Sequence, residues 1–277
     1  MPVVEVTAGP IHYVEDGQGP PVVLLHGLFM DHTVWDRVLP LLPSGFRYLR
    51  PVLPLGSHRD PMRPDADLSL RGLAGIVADF LATLDLREVT LVHSDWGGGL
   101  LMTAYGLDCR LARLVVFPCE AFDNFPPGVP GKLAVLAARI PGGLAIAVRQ
   151  LRIGAIRRIP FVFGHMARRP IPDALMNGWT EAALHNRQIR RDVRKYGLSL
   201  PPREQLIADT EALRKFSGPA LVLWSSAGKV MPRDHGRRLA ELLPEGKLVE
   251  IDDAYVLSML DRPEAVAAEV TRFLSET

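Results

Sequence analysis

The chain has 277 residues, enough to bury a full core as one domain with an insertion. Hydrophobic residues make up 48% and charged residues 23%, and the net charge of +1 gives no reason to expect nucleic acid or a membrane surface as partner. Two cysteines, Cys109 and Cys119, exclude a disulfide framework, no Cys/His cluster has zinc spacing, and no apolar run approaches the ~20 residues of a bilayer span.

In chain order, Met1-Pro2-Val3-Val4-Glu5 lacks the basic start and apolar stretch of a secretory leader, so a reducing cytoplasm is the expected location. Val3 to Val14 reads as strands interrupted at Gly9-Pro10. Pro21 to Leu25 is a continuous apolar run, as in a strand covered on both faces, and the loop His26-Gly27-Leu28-Phe29 follows it. Thr33 to Leu42 has helical spacing, with Thr33 as candidate N-cap. Phe46 to Val52 is another strand, and a Pro- and Gly-rich loop runs from Leu53 to Asp67. Ser69 to Leu84 is a predicted helix with Leu70, Leu73, Ile76, Val77, Phe80, Leu81 and Leu84 on its inner face. Further strands are predicted at Val89–Val92, Leu114–Phe117, Leu221–Trp224 and Lys247–Ile251, and helices near Arg233–Leu243 and Pro263–Ser275.

Strands alternating with helices predict an α/β fold, a mostly parallel central sheet flanked by helices. The segment 122–217 breaks that rhythm with helical patterns and prolines but no buried strand. It predicts a helical cap inserted into a core formed by 1–121 and 218–277. Arg187, Arg190, Arg191 and Arg194 in the cap read as a solvated face pairing with Asp192 and similar carboxylates.

The chemistry concentrates at Leu91-Val92-His93-Ser94-Asp95-Trp96-Gly97-Gly98. An apolar strand ends in a tight turn with an acidic tip, and glycines lead into the helix-like Leu100–Ala104. This is the context of a nucleophile elbow, which exposes one side chain beside the positive end of the next helix. The elbow needs small residues two before and two after the nucleophile. Centring on Ser94 puts Trp96 in one of those places, whereas centring on Asp95 puts Gly97 there and leaves only His93 oversized. Asp95 is therefore the expected nucleophile, a carboxylate that forms an ester with an alkyl carbon. A plain helix cap, the other common job for Asp, leaves the strand, turn and glycines together unexplained.

Leu24-Leu25-His26-Gly27, Asp95-Trp96-Gly97-Gly98, Leu221-Val222-Leu223-Trp224 and Leu260-Asp261-Arg262-Pro263-Glu264 resemble the α/β-hydrolase superfamily over nearly the whole chain. The Asp-Trp-Gly-Gly elbow resembles the haloalkane dehalogenase and epoxide hydrolase branch. The resemblance implies Asp95 as nucleophile and the backbone N–H groups of Leu28 and Trp96 as oxyanion hole. It also implies the Trp96 indole as a halide donor, and it places His26, Gly27, Phe29 and Tyr255 around the substrate. The chain departs from the pattern at four places. Leu28 stands where Asn or Gln gives the second halide bond, and Phe29 where epoxide hydrolases have Pro. Gly228 occupies the usual position of the acid, and Val256 that of the histidine. Glu120, just after the Leu114–Phe117 strand, matches an alternative place for the acid. No histidine follows His235. His58, on the loop after a central strand, and His165, in the cap, are the best-placed replacement bases. Tyr105, Tyr196 and Tyr255 are weaker proton donors.

These residues predict an enzyme that uses Asp95 on an apolar small molecule, with no cofactor and no metal. Hydrolysis of an epoxide, ester or C–X bond with a relocated base comes first. One alternative is a non-hydrolytic cyclase, isomerase, dehydratase or lyase with Asp95 as general acid or base; another is a non-catalytic ligand binder. The expected partner is a small apolar organic substrate, and a homodimer is compatible with the sequence.

Overall fold

Val-, Ile- and Leu-rich runs that are buried on both faces form the centre of the molecule. The computed structural model describes residues 1–276. β1 (Val3–Val6) and β2 (Gly9–Gly17) pair antiparallel, and β2 lies antiparallel against β4 (Arg47–Pro51). β3 (Pro21–Leu24), β4, β5 (Val89–Asp95), β6 (Leu111–Cys119), β7 (Pro219–Ser225) and β8 (Glu245–Ile251) all run parallel. The order across the sheet is β1-β2-β4-β3-β5-β6-β7-β8. β5 sits in the middle and is buried at every residue, so its C-terminal end opens where the parallel strands of such a sheet present their ligands.

Helix α1 (Leu70–Thr83) begins at Ser69, whose hydroxyl accepts from Gly72 N at 3.1 Å, and it buries Leu73, Ile76, Val77, Phe80 and Leu81. Between β6 and β7 the described chain is helical. It forms α2 (Gly128–Arg139), α3 (Gly143–Leu151), α4 (Gly154–Arg157), α5 (Asp173–His185), α6 (Arg187–Leu198) and α7 (Arg203–Glu211), with a π-type turn at Pro160–Gly164. After β7 come α8 (Arg233–Leu242), α9 (Ser258–Asp261) and α10 (Pro263–Ser275). No helix among the described residues is long and apolar enough to cross a membrane.

Four local expectations are corrected. The segment expected as one helix from Thr33 is two short 3₁₀ turns, His32–Trp35 and Leu39–Leu41. Its cap is Asp31, which accepts from Thr33 N at 2.9 Å, because Asp31 stands one residue outside the turn and Thr33 within it. The helix after the elbow is a 3₁₀ segment, Leu100–Tyr105, ended by Gly106 at φ 67°. β6 runs two residues past Phe117. His93 pairs with Val116, but Asp95 pairs with Cys119, so β6 bulges at Phe117-Pro118, where Pro118 has no N–H for the ladder. Finally, Asp192 is not on a solvated face. It is fully buried and accepts from Met62 N at 2.8 Å, which joins α6 to the loop between β4 and α1.

Candidate active site

Asp95 ends β5 at φ 51°, a left-handed conformation that costs a non-glycine residue roughly 1–2 kcal/mol and turns its carboxyl out of the strand. The space for that carboxyl exists because residue 27 is glycine: a Cβ there would overlap Asp95 Oδ2. Oδ2 accepts from Leu28 N at 3.1 Å, and Trp96 N–H donates to the same carboxylate. The two oxyanion-hole amides expected from the sequence thus converge on Asp95 itself. They favour its charged form, but burial and the nearby Glu120 outweigh them and push the carboxyl up to about 7.

Above Asp95 lies a cavity of about 340 Å³, near the low end of small-molecule sites at roughly 300–1,000 Å³. The floor is Leu28, Phe29, Asp95 and Trp96. The walls come from α2, α3 and the Pro160–Gly164 turn, with Val230 from the segment after β7. Asp95 is the one ionisable side chain lining it among the described residues, and Gln150 and Trp96 also carry polar groups. Trp96 packs edge-on against Phe125 at 5.1 Å and tilted against Tyr196 at 5.6 Å. Tyr196 is fully buried, and its hydroxyl donates to Trp96 O at 3.3 Å.

The remaining candidates divide clearly. Glu120 is brought to the elbow by the β6 bulge and is buried, and its Oε2 lies 3.4 Å from His93 Nε2. His93 shares the Asp95 side of β5 by simple alternation, yet its imidazole lies behind the turn, and its Nδ1 would be 3.2 Å from a Cβ at Gly97. The glycines therefore make room for the oversized residue at the elbow's first small position. The side chains of His93 and Glu120 make no well-directed hydrogen bond among the described residues.

His58 does not reach the cavity. It is buried, with Nε2 3.3 Å from Asp192 Oδ2 and Nδ1 accepting from Gly56 N. His165 lies on the cap against the Tyr255 ring at 6.0 Å, and neither side chain lines the cavity. His26 fixes the loop below the site. Its Nδ1 donates to Gly27 O at 2.9 Å and its Nε2 accepts from Leu53 N at 2.8 Å, and burial lowers it to about 4, so it is neutral. Val256 is buried among apolar groups, and the turn at Gly228 carries no carboxylate. His93, Cys119 and Glu120 bring three metal-type donor atoms within 4.8 Å of one another. Burial, Glu120 and Asp95 push the Cys119 thiol well above its usual value.

A family model described as "Alpha/beta hydrolase family" matches residues 22–269. The chain is 25% identical over 277 residues to a cis-3-alkyl-4-alkyloxetan-2-one decarboxylase of Shewanella oneidensis, covering 96% of this chain and 86% of the relative. It is 34% identical over 123 residues to a soluble epoxide hydrolase of Corynebacterium sp., covering 42% of each. The solved structure of an ancestral haloalkane dehalogenase superposes with a TM-score of 0.77 at 20% identity, covering 100% of this chain and 99% of that one. With the sheet order, the strained acidic elbow and a family match spanning most of its length, the chain belongs to the α/β-hydrolase family and is a hydrolase-like enzyme.

Proposed function

We propose that the enzyme uses Asp95 as a nucleophile on a small apolar molecule carrying an electrophilic carbon, in an epoxide, an activated ester or a C–X bond. The observation that carries this reading is a lone carboxylate at the floor of an apolar cavity, with Oδ2 held by the Leu28 amide. Oδ1 accepts from no side chain among the described residues and is the oxygen that attacks. For a C–X bond, the carboxylate oxygen bonds to carbon as the C–X pair leaves with X, and the product is an enzyme-bound ester. The Trp96 indole N–H, which has no protein hydrogen-bond partner among the described residues, lines the same floor and suits a departing anion. Hydrolysis then bonds a water oxygen to the ester carbonyl carbon and breaks its bond to the alkyl oxygen; one water proton ends on the departing alcohol and the other passes to solvent as the Asp95 carboxylate re-forms. The oxyanion that develops lies at the Leu28 and Trp96 amides, whose removal in such sites costs ~3–4 kcal/mol of barrier.

A second reading is favoured by one specific observation: no histidine lines the cavity, so no side chain there can take the proton of an attacking water. Chemistry without a water step, such as a lyase reaction, needs no such base, and the relative named as a decarboxylase supports it.

Intact-protein mass after exposure to epoxides, alkyl halides and activated esters tests both, comparing wild type with Asp95→Asn. An adduct on wild type alone is expected. Its rate should rise with pH with a midpoint about 7, falling about tenfold per unit well below it, because only ionised Asp95 attacks. Asp95-dependent product without adduct, fastest below that midpoint, selects the lyase reading with Asp95 as proton donor. Undiminished turnover in Asp95→Asn overturns both.

A further inference from the structure

The near-zero net charge of the chain conceals a strong segregation. Residues 124–172 contain eight Lys and Arg and no Asp or Glu. The remainder, with 24 of the 32 Lys and Arg and all 31 Asp and Glu, is net negative. This acid-free segment is the part of the cap that closes over the cavity.

It is also where the apolar surface is exposed. Of thirteen large apolar side chains exposed among the described residues, eight lie between Val129 and Phe161. Their arrangement follows helix geometry. On α2, Val129, Leu133, Leu136 and Ile140 form one outward stripe at i, i+4, i+7 and i+11, while Val135 and Ala138 face inward. Lys132 and Arg139 flank that stripe. On α3, Ile146 points outward with Arg149 beside it. α2 packs against both α3 and the Pro160–Gly164 turn, and α3 packs against α4, so these exposed groups form one surface.

The cations there are free. Lys132, Arg139, Arg149 and Arg158 are exposed and make no ion pair or side-chain hydrogen bond within the described chain. By contrast, Arg152 pairs with Glu181 at 2.6 Å, and Arg157 is buried against Asp173. A stripe of apolar side chains flanked by unpaired Lys and Arg, on a segment with no Asp or Glu of its own, is complementary to an anionic lipid surface. There the apolar groups enter the acyl boundary and each cation gains about 1 kcal/mol, roughly a fivefold gain in binding. A second copy is a poor occupant, because a two-fold contact would set this cationic patch against itself.

We infer that the cap face formed by α2, α3 and the Pro160–Gly164 turn docks the enzyme on an anionic lipid bilayer. The position of the cavity gives the docking a purpose. Leu133, Leu136, Ile140 and Ile146 are both exposed and part of the cavity lining, so the apolar surface continues inward to Asp95. An apolar substrate dissolved in the bilayer can reach the carboxylate without crossing water. This inference stands independently of which bond Asp95 attacks.

Vesicle flotation tests it, with phosphatidylcholine alone and phosphatidylcholine mixed with phosphatidylglycerol. Wild type should bind the mixed vesicles at least ~10-fold better than the neutral ones, and added salt should weaken that binding. The double variant Arg139→Glu/Arg149→Glu should lose the preference for phosphatidylglycerol. Ile153→Ser/Phe161→Ser, at exposed residues outside the cavity lining, should lower binding to the mixed vesicles. Both variants should keep wild-type thermal stability and wild-type adduct formation with a water-soluble electrophile, which separates lost docking from lost folding. No binding to the mixed vesicles at low salt overturns the inference. So does binding that neither variant reduces, or a wild-type dimer in solution that Ile153→Ser/Phe161→Ser converts to monomer.

Discussion

At the scale of single residues, Asp95 sits in a conflict between function and stability. Its carboxyl is raised from 3.8 to about 7 by burial and Glu120. A carboxyl raised on folding contributes stability that is fully present below its unfolded value and is lost as pH rises through the folded one. Ionised Asp95 therefore destabilises the fold, by up to about 4 kcal/mol once the pH is above both values. Asp95→Asn should raise the melting temperature markedly at pH 8.5 and hardly at pH 4. Thermal scans at the two pH values check this, and an equal shift at both would contradict the assignment. Asp95 was legible because its placement follows from local order: strand, turn, glycine; Leu28 and Trp96 were legible through the resemblance to the α/β-hydrolase superfamily. The outcome for His58 was not legible, because its partner Asp192 is 134 residues away in the chain. His93 was read as oversized for the elbow's first small position. Its accommodation depends on Gly97 and Gly99 leaving room beneath the turn, a packing fact that spacing alone does not carry.

At the scale of elements, the buried His58–Asp192 contact adds a polar tie between two parts of the chain that also share the apolar core. Asp192 on α6 also accepts from Met62 N and from Arg191, so the loop between β4 and α1 is tied to the cap by polar groups removed from water. Replacing His58 by Ala leaves a void and takes one partner from a buried carboxylate. The expected cost is ~2–4 kcal/mol by denaturant unfolding, with the rate of adduct formation at Asp95 unchanged. If instead the protein folds normally and its Asp95 ester stops turning over, His58 is the base after all. Element boundaries read well from periodicity where burial was continuous, as in β3, α1 and α10. They failed at the β6 bulge and the 3₁₀ segment after the elbow, because Pro118 and the surrounding glycines shift the backbone by tertiary fit rather than by pattern.

At the scale of the whole molecule, the fold was legible because parallel strands buried on both faces have few sequences that suit them. The distribution of charge was not legible, since a net value of +1 averages two regions of opposite sign. Lys132, Arg139, Arg149 and Arg158 are exposed on the cap segment 124–172, whereas all 31 Asp and Glu lie outside it. Above its isoelectric point the protein is thus a macroscopic dipole, an anion in total with one cationic face. It should be retained by a sulfonate chromatography resin at a pH where its electrophoretic mobility is already towards the anode. Arg139→Glu/Arg149→Glu should elute in the flow-through under the same conditions. A molecule held in one orientation by such a resin presents its cavity mouth to the support, so immobilisation on a cationic matrix, through the opposite face, is the arrangement that leaves the entrance open to substrate.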